Sequence, residues 1–181
     1  MKLVAAGCVA MLLRAGIVDR LAITVGRESI TELQLDEELR VTALLNDQPV
    51  SRTTDARRAA ADRLVEQLLI KREMDLSHYR GTGPGDLAAY LAQVQSACGG
   101  PDRFWRLLRQ YDLSESTLKE HLELQLAISR FVEYRFQSDM QPATSSIRPK
   151  TIEQQTDEAL AAWLEESRKQ VNIVYIDKSL Q

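Results

Sequence analysis

The residue types that most often carry chemistry are sparse in this chain. Its 181 residues include two histidines, His78 and His121, and two cysteines, Cys8 and Cys98. Neither histidine lies in a His-Glu-x-x-His or Cys-x-x-Cys context, so no zinc ligand set is visible and we expect no metal. We expect His121 to be a surface or hydrogen-bonded structural histidine. Cys98 is expected to be a small buried residue, not a reactive thiol.

A glycine-rich stretch, Gly81-Thr82-Gly83-Pro84-Gly85, raises the question of a phosphate-binding loop. No strand pattern precedes it and no Lys-Ser/Thr pair follows it, so we interpret it as a plain loop. The chain also lacks a Gly-x-Ser-x-Gly elbow and a dinucleotide fingerprint, and we expect no cofactor. Carboxylates are plentiful, but spacing alone does not single out an acid/base pair. The sequence therefore carries no positive evidence for catalysis.

The composition limits the kinds of partner and the number of domains. A net charge of -3 supplies no general attraction to nucleic acid or to anionic lipid, so we expect no nucleic-acid partner. No stretch approaches the roughly 20 apolar residues that a membrane-spanning helix needs, and we expect no stable membrane insertion. With 44% hydrophobic residues the chain can bury one ordinary core, so we expect one domain with appendages.

The N-terminus has the layout of a short secretory signal. Lys2 precedes an apolar run from Leu3 to Leu13, although Arg14 interrupts the place where small cleavage-site residues should follow. We interpret residues 1–16 as a signal segment, and a buried N-terminal helix is the alternative. The first interpretation predicts a protein of the cell envelope.

Short β patterns lie near both ends of the chain. Leu21–Val25 and Glu28–Ile30 flank Gly26-Arg27, and a glycine at the first turn position favours a type II′ hairpin. The run from Val171 to Ile176 has a matching β-branched, partly alternating pattern. Because pairing the first and last segments satisfies the backbone groups of both, we expect the two ends to meet.

Everything between these segments has a helical pattern. Thr31 and Thr151 each stand three residues before a glutamine, which predicts two capping boxes. The predicted helices run from Thr31 to about Asn46, then over 54–74, 86–97, 101–111, 115–137 and from Thr151 to the closing strand. The predicted fold is mainly α, a helical bundle with a small antiparallel β element formed by an N-terminal hairpin and the C-terminal strand. We expect residues 17–140 to form the N-terminal hairpin and the helical core, 141–150 a linker, and 151–181 a helix and strand that pack back on the core.

The distribution of charged and apolar residues around two of the predicted helices indicates which of their sides are buried. The charged residues of the 54–74 helix are expected to form its solvated side, because its alanines and leucines repeat every three or four residues. The 115–137 helix has apolar residues over most of its circumference, from Leu118 to Phe136. Such a helix is either buried on several sides or leaves a surface for a partner.

The run Val18-Asp19-Arg20-Leu21-Ala22-Ile23-Thr24-Val25-Gly26-Arg27-Glu28-Ser29-Ile30-Thr31 resembles the opening of the mature chain in SurA-type periplasmic chaperones. Later segments are similar to that family in the same order. They are Leu64–Ile70 for its second helix, Gly100–Leu118 for its Gly-x-x-x-Phe…Leu-Ser-x-x-x-Leu section, and Trp163–Ile173 for its terminal helix and strand. The resemblance covers about Val18 to Asp177.

The resemblance implies a periplasmic chaperone that binds unfolded outer-membrane proteins in an apolar groove between helices. Family members commonly carry parvulin prolyl-isomerase domains before the terminal helix, but residues 141–150 are far too few for a domain, so we expect no enzyme activity. The candidate client contacts are Tyr90, Phe104, Trp105, Tyr111, Phe131, Tyr134 and Met140. Each of these side chains has burial in the core as its alternative.

Two further alternatives stay open on the sequence. The apolar helix could instead mark an interaction subunit that recognises one folded protein partner. The closing strand lies beyond a flexible linker, so the end strands could also exchange between two copies in a domain-swapped homodimer.

Overall fold

The structure is a computed structural model and describes residues 19–79, 81, 83–137 and 151–181. The signal segment 1–16, the linker 141–150 and Met140 lie outside these residues. The strands are β1 (Leu21–Val25), β2 (Glu28–Thr31) and β3 (Ile173–Tyr175). The helices are α1 (Glu32–Leu45), α2 (Thr54–Leu76), α3 (Pro84–Ala97), α4 (Pro101–Gln110), α5 (Glu115–Val132) and α6 (Ile152–Gln170). A π-helical turn covers Glu133–Gln137 and a 3-10 turn Lys178–Leu180. The predicted fold class is confirmed.

The two ends of the described chain meet in one antiparallel sheet of order β2-β1-β3. Ile23 pairs with Tyr175 and Val25 with Ile173. In the hairpin turn, Gly26 has a positive φ of 61° and Arg27 does not. A type II′ turn requires this combination, because only its first central residue has a positive φ. The pairing of the first strand with the last is thus confirmed within one chain, and a domain-swapped homodimer stays a prediction.

Both capping boxes form. The Gln34 backbone N–H donates to Thr31 Oγ1 at 3.3 Å, and the Thr31 N–H donates to Gln34 Oε1 at 2.9 Å. The same reciprocal pair joins Thr151 and Gln154 at 3.1 Å in both directions. Each box satisfies donors that the first turn of a helix leaves unpaired, so the starts of α1 and α6 follow directly from local sequence.

Two helix predictions were wrong at one end. The predicted loop through Gly85 gives way to α3 at Pro84, since proline suits the first helical position and the Asp86 carboxylate accepts the Gly83 N–H at 2.9 Å. The predicted single helix over 115–137 changes to a π-helical turn at Glu133. A π turn inserts an extra residue and rotates the side chains that follow.

Three clusters of buried side chains make up the core. The first joins the sheet, α1 and α2 through Ile23, Leu35 and Val65, and α6 packs on it. The second joins α1, α4 and α5 around Phe104 and Leu118. The third joins α2 and α5 through Ile70, Met74, Ala127 and Phe131, with Trp163 of α6 packed against them. Helix α2 therefore contributes to two of the clusters and holds α6 against both.

The expectation that the charges of α2 only face solvent was wrong. Arg57 Nη2 lies 2.8 Å from Glu32 Oε2 of α1 and 2.6 Å from Asp177 Oδ2 near the C-terminus. Glu66 accepts a hydrogen bond from Arg168 of α6 at 3.0 Å. Periodicity marks these residues as outside the apolar face, but it does not show that another element comes to meet them.

Candidate functional site

An open groove runs between α2 and α6, starting at the β1–β2 turn. Its larger compartment has a volume of about 600 Å³. Val25, Leu68, Leu69 and Val171 supply the apolar part of its lining. Polar side chains complete the lining, from Arg27, Glu28, Arg72, Gln170 and Asn172. A volume of this size accommodates side chains of a bound segment.

A second compartment of about 160 Å³ continues the groove toward the end of α2. Leu69, Arg72, Gln170 and Val171 line both compartments, so the two are continuous. Beyond these shared residues, the second compartment reaches Leu76 and Trp163. We call the two compartments together the α2–α6 groove.

Aromatic side chains cluster where the groove ends. The Tyr79 ring centroid lies 5.2 Å from that of Phe131 and 5.5 Å from that of Tyr134. Phe136, on the π-helical turn, lies edge-on to Trp163 at 6.3 Å. We call Tyr79, Tyr134, Phe136 and Trp163 the aromatic end. Trp163 also lines the groove, and Tyr79 and Trp163 pack against the same buried cluster around Phe131, so the aromatic end adjoins the groove.

Two large apolar side chains on this surface are mostly exposed. Leu76 is 67% exposed and Tyr134 is 64% exposed. The Tyr134 ring still packs on Tyr79, so it is held in place while most of its surface faces solvent. Large exposed apolar side chains that adjoin an open groove are typical of a binding surface.

Polar contacts fix the two walls relative to each other. Arg168 of α6 bonds Glu66 of α2 at 3.0 Å and lies 3.4 Å from Asp62. The Tyr175 hydroxyl donates to Asp62 at 3.3 Å. Burial, with help from the Asp62 charge, raises the pKa of Tyr175, so the hydroxyl keeps its proton at neutral pH. The walls are therefore joined by bonds that persist over the physiological range.

The rim of the groove carries charges of both signs. Arg27 and Glu28 stand at the hairpin end, and Arg72 and Glu73 stand on α2. Opposite charges in alternation produce no strong field of one sign. The groove therefore does not select a cation or an anion.

Three of the predicted client contacts are buried, which agrees with the core alternative for each of them. Phe104 is fully buried between α1, α4 and α5. Tyr111 is buried in the same cluster, and its hydroxyl donates to the Gln48 carbonyl at 2.9 Å. Phe131 is buried beneath Tyr79. All three lie on the core-facing side of their helices, where burial of a large ring is most favourable.

The other predicted contacts are scattered. Tyr90 is half-buried, and its hydroxyl donates to Gln125 at 3.2 Å. Trp105 is 39% exposed on α4, outside the groove lining, with its ring on Phe104. Tyr134 belongs to the aromatic end, and Met140 lies outside the described residues. Of the predicted set, the structure therefore brings Tyr134 alone to this surface among the residues it describes.

Sequence reasoning missed most of the groove. Leu68 and Leu69 belong to the leucine period that predicts α2, and Trp163 and Val171 lie in the segment that resembles the family's terminal helix and strand, but neither pattern indicates a groove. Leu76 lies beyond the predicted end of its helix. The apolar residues of α5 are buried or half-buried, which agrees with the burial alternative for that helix.

Reactive groups are few in the described part of the chain. No group of three or more His, Cys, Asp or Glu side chains that could hold a metal ion is found there. Burial raises the pKa of the Cys98 thiol, so the thiol is protonated and a poor nucleophile at neutral pH. None of the described helices is long and apolar enough to cross a membrane.

Comparisons with known proteins leave this surface as the main guide to function. No model of a known protein family matches the chain, and no curated protein matches it either. The likeness to SurA-type chaperones therefore stays a prediction from the residues that carry it.

Proposed function

We propose that this protein is a noncatalytic chaperone of the cell envelope that holds unfolded outer-membrane proteins on the α2–α6 groove and the aromatic end. The observation that carries the proposal is an open groove with four apolar lining residues that continues to the mostly exposed Leu76 and to the ring of Trp163. The ordered resemblance to SurA-type chaperones from Val18 to Asp177 supports the same function and a periplasmic location.

The physical basis is reversible burial of client side chains. Each 100 Å² of apolar client surface buried in the groove contributes about 2.5 kcal/mol. Ordering an unfolded segment opposes this gain, so each contact is weak and short-lived. The mixed charges on the rim penalise no single client sequence strongly. Weak, sequence-tolerant contacts are what a holding chaperone requires.

A noncatalytic role is part of the proposal. In the family that the chain resembles, prolyl isomerisation belongs to separate parvulin domains. Residues 138–150 separate the π-helical turn from α6, far fewer than the roughly 100 residues of an ordinary domain. The groove then acts only by binding, and a proline-peptide isomerisation assay should show no rate enhancement.

The test is aggregation of a urea-denatured outer-membrane protein after dilution, followed by light scattering. At a near-stoichiometric ratio, we expect the wild-type protein to slow aggregation. Leu76→Glu places a charge in the groove and should weaken this protection several-fold, and Tyr134→Ala should weaken it less. Both side chains are mostly exposed, so the fold should tolerate the changes.

Trp105→Ala is the matched control, because it removes an exposed aromatic ring from α4, away from the groove. The control should protect as well as the wild-type protein. Failure of the wild-type protein to slow aggregation or to bind the client would end the proposal. One stable complex with a folded protein, together with indifference to unfolded clients, would support the alternative of a dedicated interaction subunit.

A further inference from the structure

The sheet ends on one side in a strand that carries no charge. In the order β2-β1-β3, the described sheet gives β3 a partner on one side only. Its residues Ile173, Val174 and Tyr175 are followed by Ile176, so four β-branched or aromatic side chains stand in a row at this edge. Natural edge strands are commonly protected by charged residues, prolines or bulges, because their backbone groups can pair with another chain. β3 carries no such protection, and its ladder with β1 runs without a register shift.

The opposite edge of the sheet is built differently. β2 begins at Glu28, directly after Arg27, and both side chains are exposed. Its ladder with β1 shifts register between Leu21 and Ile23. A charged and irregular edge resists pairing with a further strand. Of the two edges, β3 is therefore the one suited to accept an added strand.

The pairing with β1 fixes the direction of the backbone groups in the last strand. The Gly26 N–H donates to the Asn172 carbonyl at 2.9 Å, and the Ile176 N–H donates to the Ala22 carbonyl at 2.8 Å. Backbone groups in an antiparallel ladder point to the partner strand at every second residue. Val174, midway between Asn172 and Ile176, therefore also points to β1.

Ile173 and Tyr175 consequently direct their backbone N–H and C=O groups away from β1. The Tyr175 carbonyl agrees with this direction, since it accepts a hydrogen bond from the Gln181 side chain at 2.9 Å. Within the described part of the chain, no hydrogen bond is found to the Ile173 N–H, the Ile173 carbonyl or the Tyr175 N–H. Two donors and one acceptor at this spacing match the backbone of an extended polypeptide.

We propose that an extended segment of an unfolded outer-membrane protein adds to the sheet as a fourth strand along β3, next to the α2–α6 groove. The inference rests on the proposed function, because it takes the same clients. Membrane-spanning strands of outer-membrane proteins alternate apolar and polar residues, a pattern that suits an extended chain. Val174 and Ile176 are 44% and 45% exposed on one face of this edge, beside the apolar side chains of such a strand.

The edge is continuous with the groove. Val171 and Asn172 line the larger compartment of the groove, and Ile173 follows them directly in the chain. A client strand that pairs with Ile173 therefore reaches the groove within two residues, or about 7 Å of extended chain. Backbone pairing does not depend on the side chains of the client, so one edge can serve many sequences.

A second copy of this chain fits the edge less well. A symmetric antiparallel pair that uses the whole of β3 needs the Tyr175 carbonyl of both copies. This carbonyl is already bonded to the Gln181 side chain. A client strand centred on Ile173 leaves that bond in place, so the observations favour a client over a second copy.

The test follows backbone amide exchange of the wild-type protein by NMR. The probe is a synthetic peptide that alternates valine and threonine over about ten residues, the length of a membrane-spanning strand, with lysine at both ends. Saturating peptide should slow exchange at Ile173 and Tyr175 by at least about tenfold, while Val174 is already slow in the free protein. The same peptide with N-methyl groups on its central residues cannot form a ladder and should give no protection. Unchanged exchange at Ile173 and Tyr175 with the unmethylated peptide would overturn the proposal.

A pair of lysine variants gives a second readout. Val174→Lys puts a charge on the exposed face of the edge and should weaken peptide binding several-fold. Ser29→Lys is the matched control, because Ser29 and Val174 are both exposed and are the two cross-strand neighbours of Thr24 on opposite edges. The control should bind the peptide like the wild-type protein. Equal affinities of the two variants would contradict an added strand at β3.

The outcomes separate this inference from the proposed function. If the wild-type protein slows aggregation and Leu76→Glu weakens that effect, but the Ile173 and Tyr175 amides stay unprotected, clients occupy the groove alone and the added strand is wrong. Failure to slow aggregation and to bind the peptide would end both proposals. Protection of the two amides that appears without peptide and grows with protein concentration would identify a second copy as the occupant, and would also overturn this inference.

Discussion

At the scale of single residues, Arg57 joins parts of the chain that are far apart in sequence. Its guanidinium bonds Glu32 at the start of α1 and Asp177 after β3, and its Nε bonds the Ser179 hydroxyl at 3.3 Å. Hydrogen bonds from the Ser179 hydroxyl and backbone, with a further bond from Arg57, hold the pKa of Asp177 well below its usual range. This ion cluster fastens the C-terminal turn to α1 and α2.

Asp177→Asn should reveal the contribution of that cluster. The carboxylate is partly solvated, so we expect the variant's free energy of unfolding to be about 1 kcal/mol lower at pH 7. Because the folded pKa is lowered, this stability is present above about pH 4 and disappears as the pH falls further. Because the folded pKa lies well below that of the unfolded chain, urea unfolding should show the full difference between wild type and variant at pH 7 and only part of it at pH 3. Asp75→Asn, an exposed position on α2, should change stability by less than about 0.5 kcal/mol and serves as the control.

At the scale of elements, the β1–β2 hairpin shapes one end of the groove. Its turn depends on the left-handed conformation of Gly26. A Cβ at this position would lie 3.4 Å from Val171 Cγ1, which is an ordinary contact. A larger residue would therefore lower the free energy of unfolding through its unfavourable positive φ and not through a steric clash. The start of α3 is different, since Gly85 has open space around it and no positive φ.

Gly26→Ala should therefore destabilise the protein by about 1–2 kcal/mol, while Gly85→Ala should be neutral or stabilise by up to about 1 kcal/mol. Thermal unfolding of the two variants measures the difference directly. Equal melting temperatures would mean that the turn does not need a left-handed residue. A Gly26→Asn variant should recover part of the loss, because asparagine enters this conformation more readily than alanine.

At the scale of the whole molecule, the C-terminal segment closes the fold. β3 pairs with β1, and Leu180 is buried in the cluster that joins the sheet to α1 and α2. The Gln181 side chain donates to the Tyr175 carbonyl at 2.9 Å, and Arg58 bonds the Gln181 backbone oxygen. The first and last described elements are therefore parts of one cooperative unit.

Removing residues 172–181 should lower the free energy of unfolding by at least about 3 kcal/mol. The deletion exposes β1 and removes both the buried Leu180 and Asp177, the partner of Arg57. We expect faster amide hydrogen exchange in β1 and a lower unfolding midpoint. Removing Gln181 alone should cost less than about 1 kcal/mol. If β1 were equally protected in the long deletion, the sheet would not depend on its closing strand.

Local sequence was sufficient to predict most elements. The Thr31 and Thr151 capping boxes, the glycine at the hairpin turn and the period of the α2 leucines each act over a few residues, so they can be recognised without knowing the fold. The mainly α class and the meeting of the two ends followed from these signals. The resemblance to SurA-type chaperones came from the same segments in order.

Only the tertiary structure decided which apolar side chains face solvent. Phe104, Phe131 and Tyr134 are similar in type and all lie on helical segments, yet the first two are buried and the third is exposed. The difference depends on which elements pack together and on the π-helical turn after α5, and these are set by contacts between residues far apart in sequence. The groove and the Arg57 cluster belong to the same class of feature, because each exists only where separate elements meet.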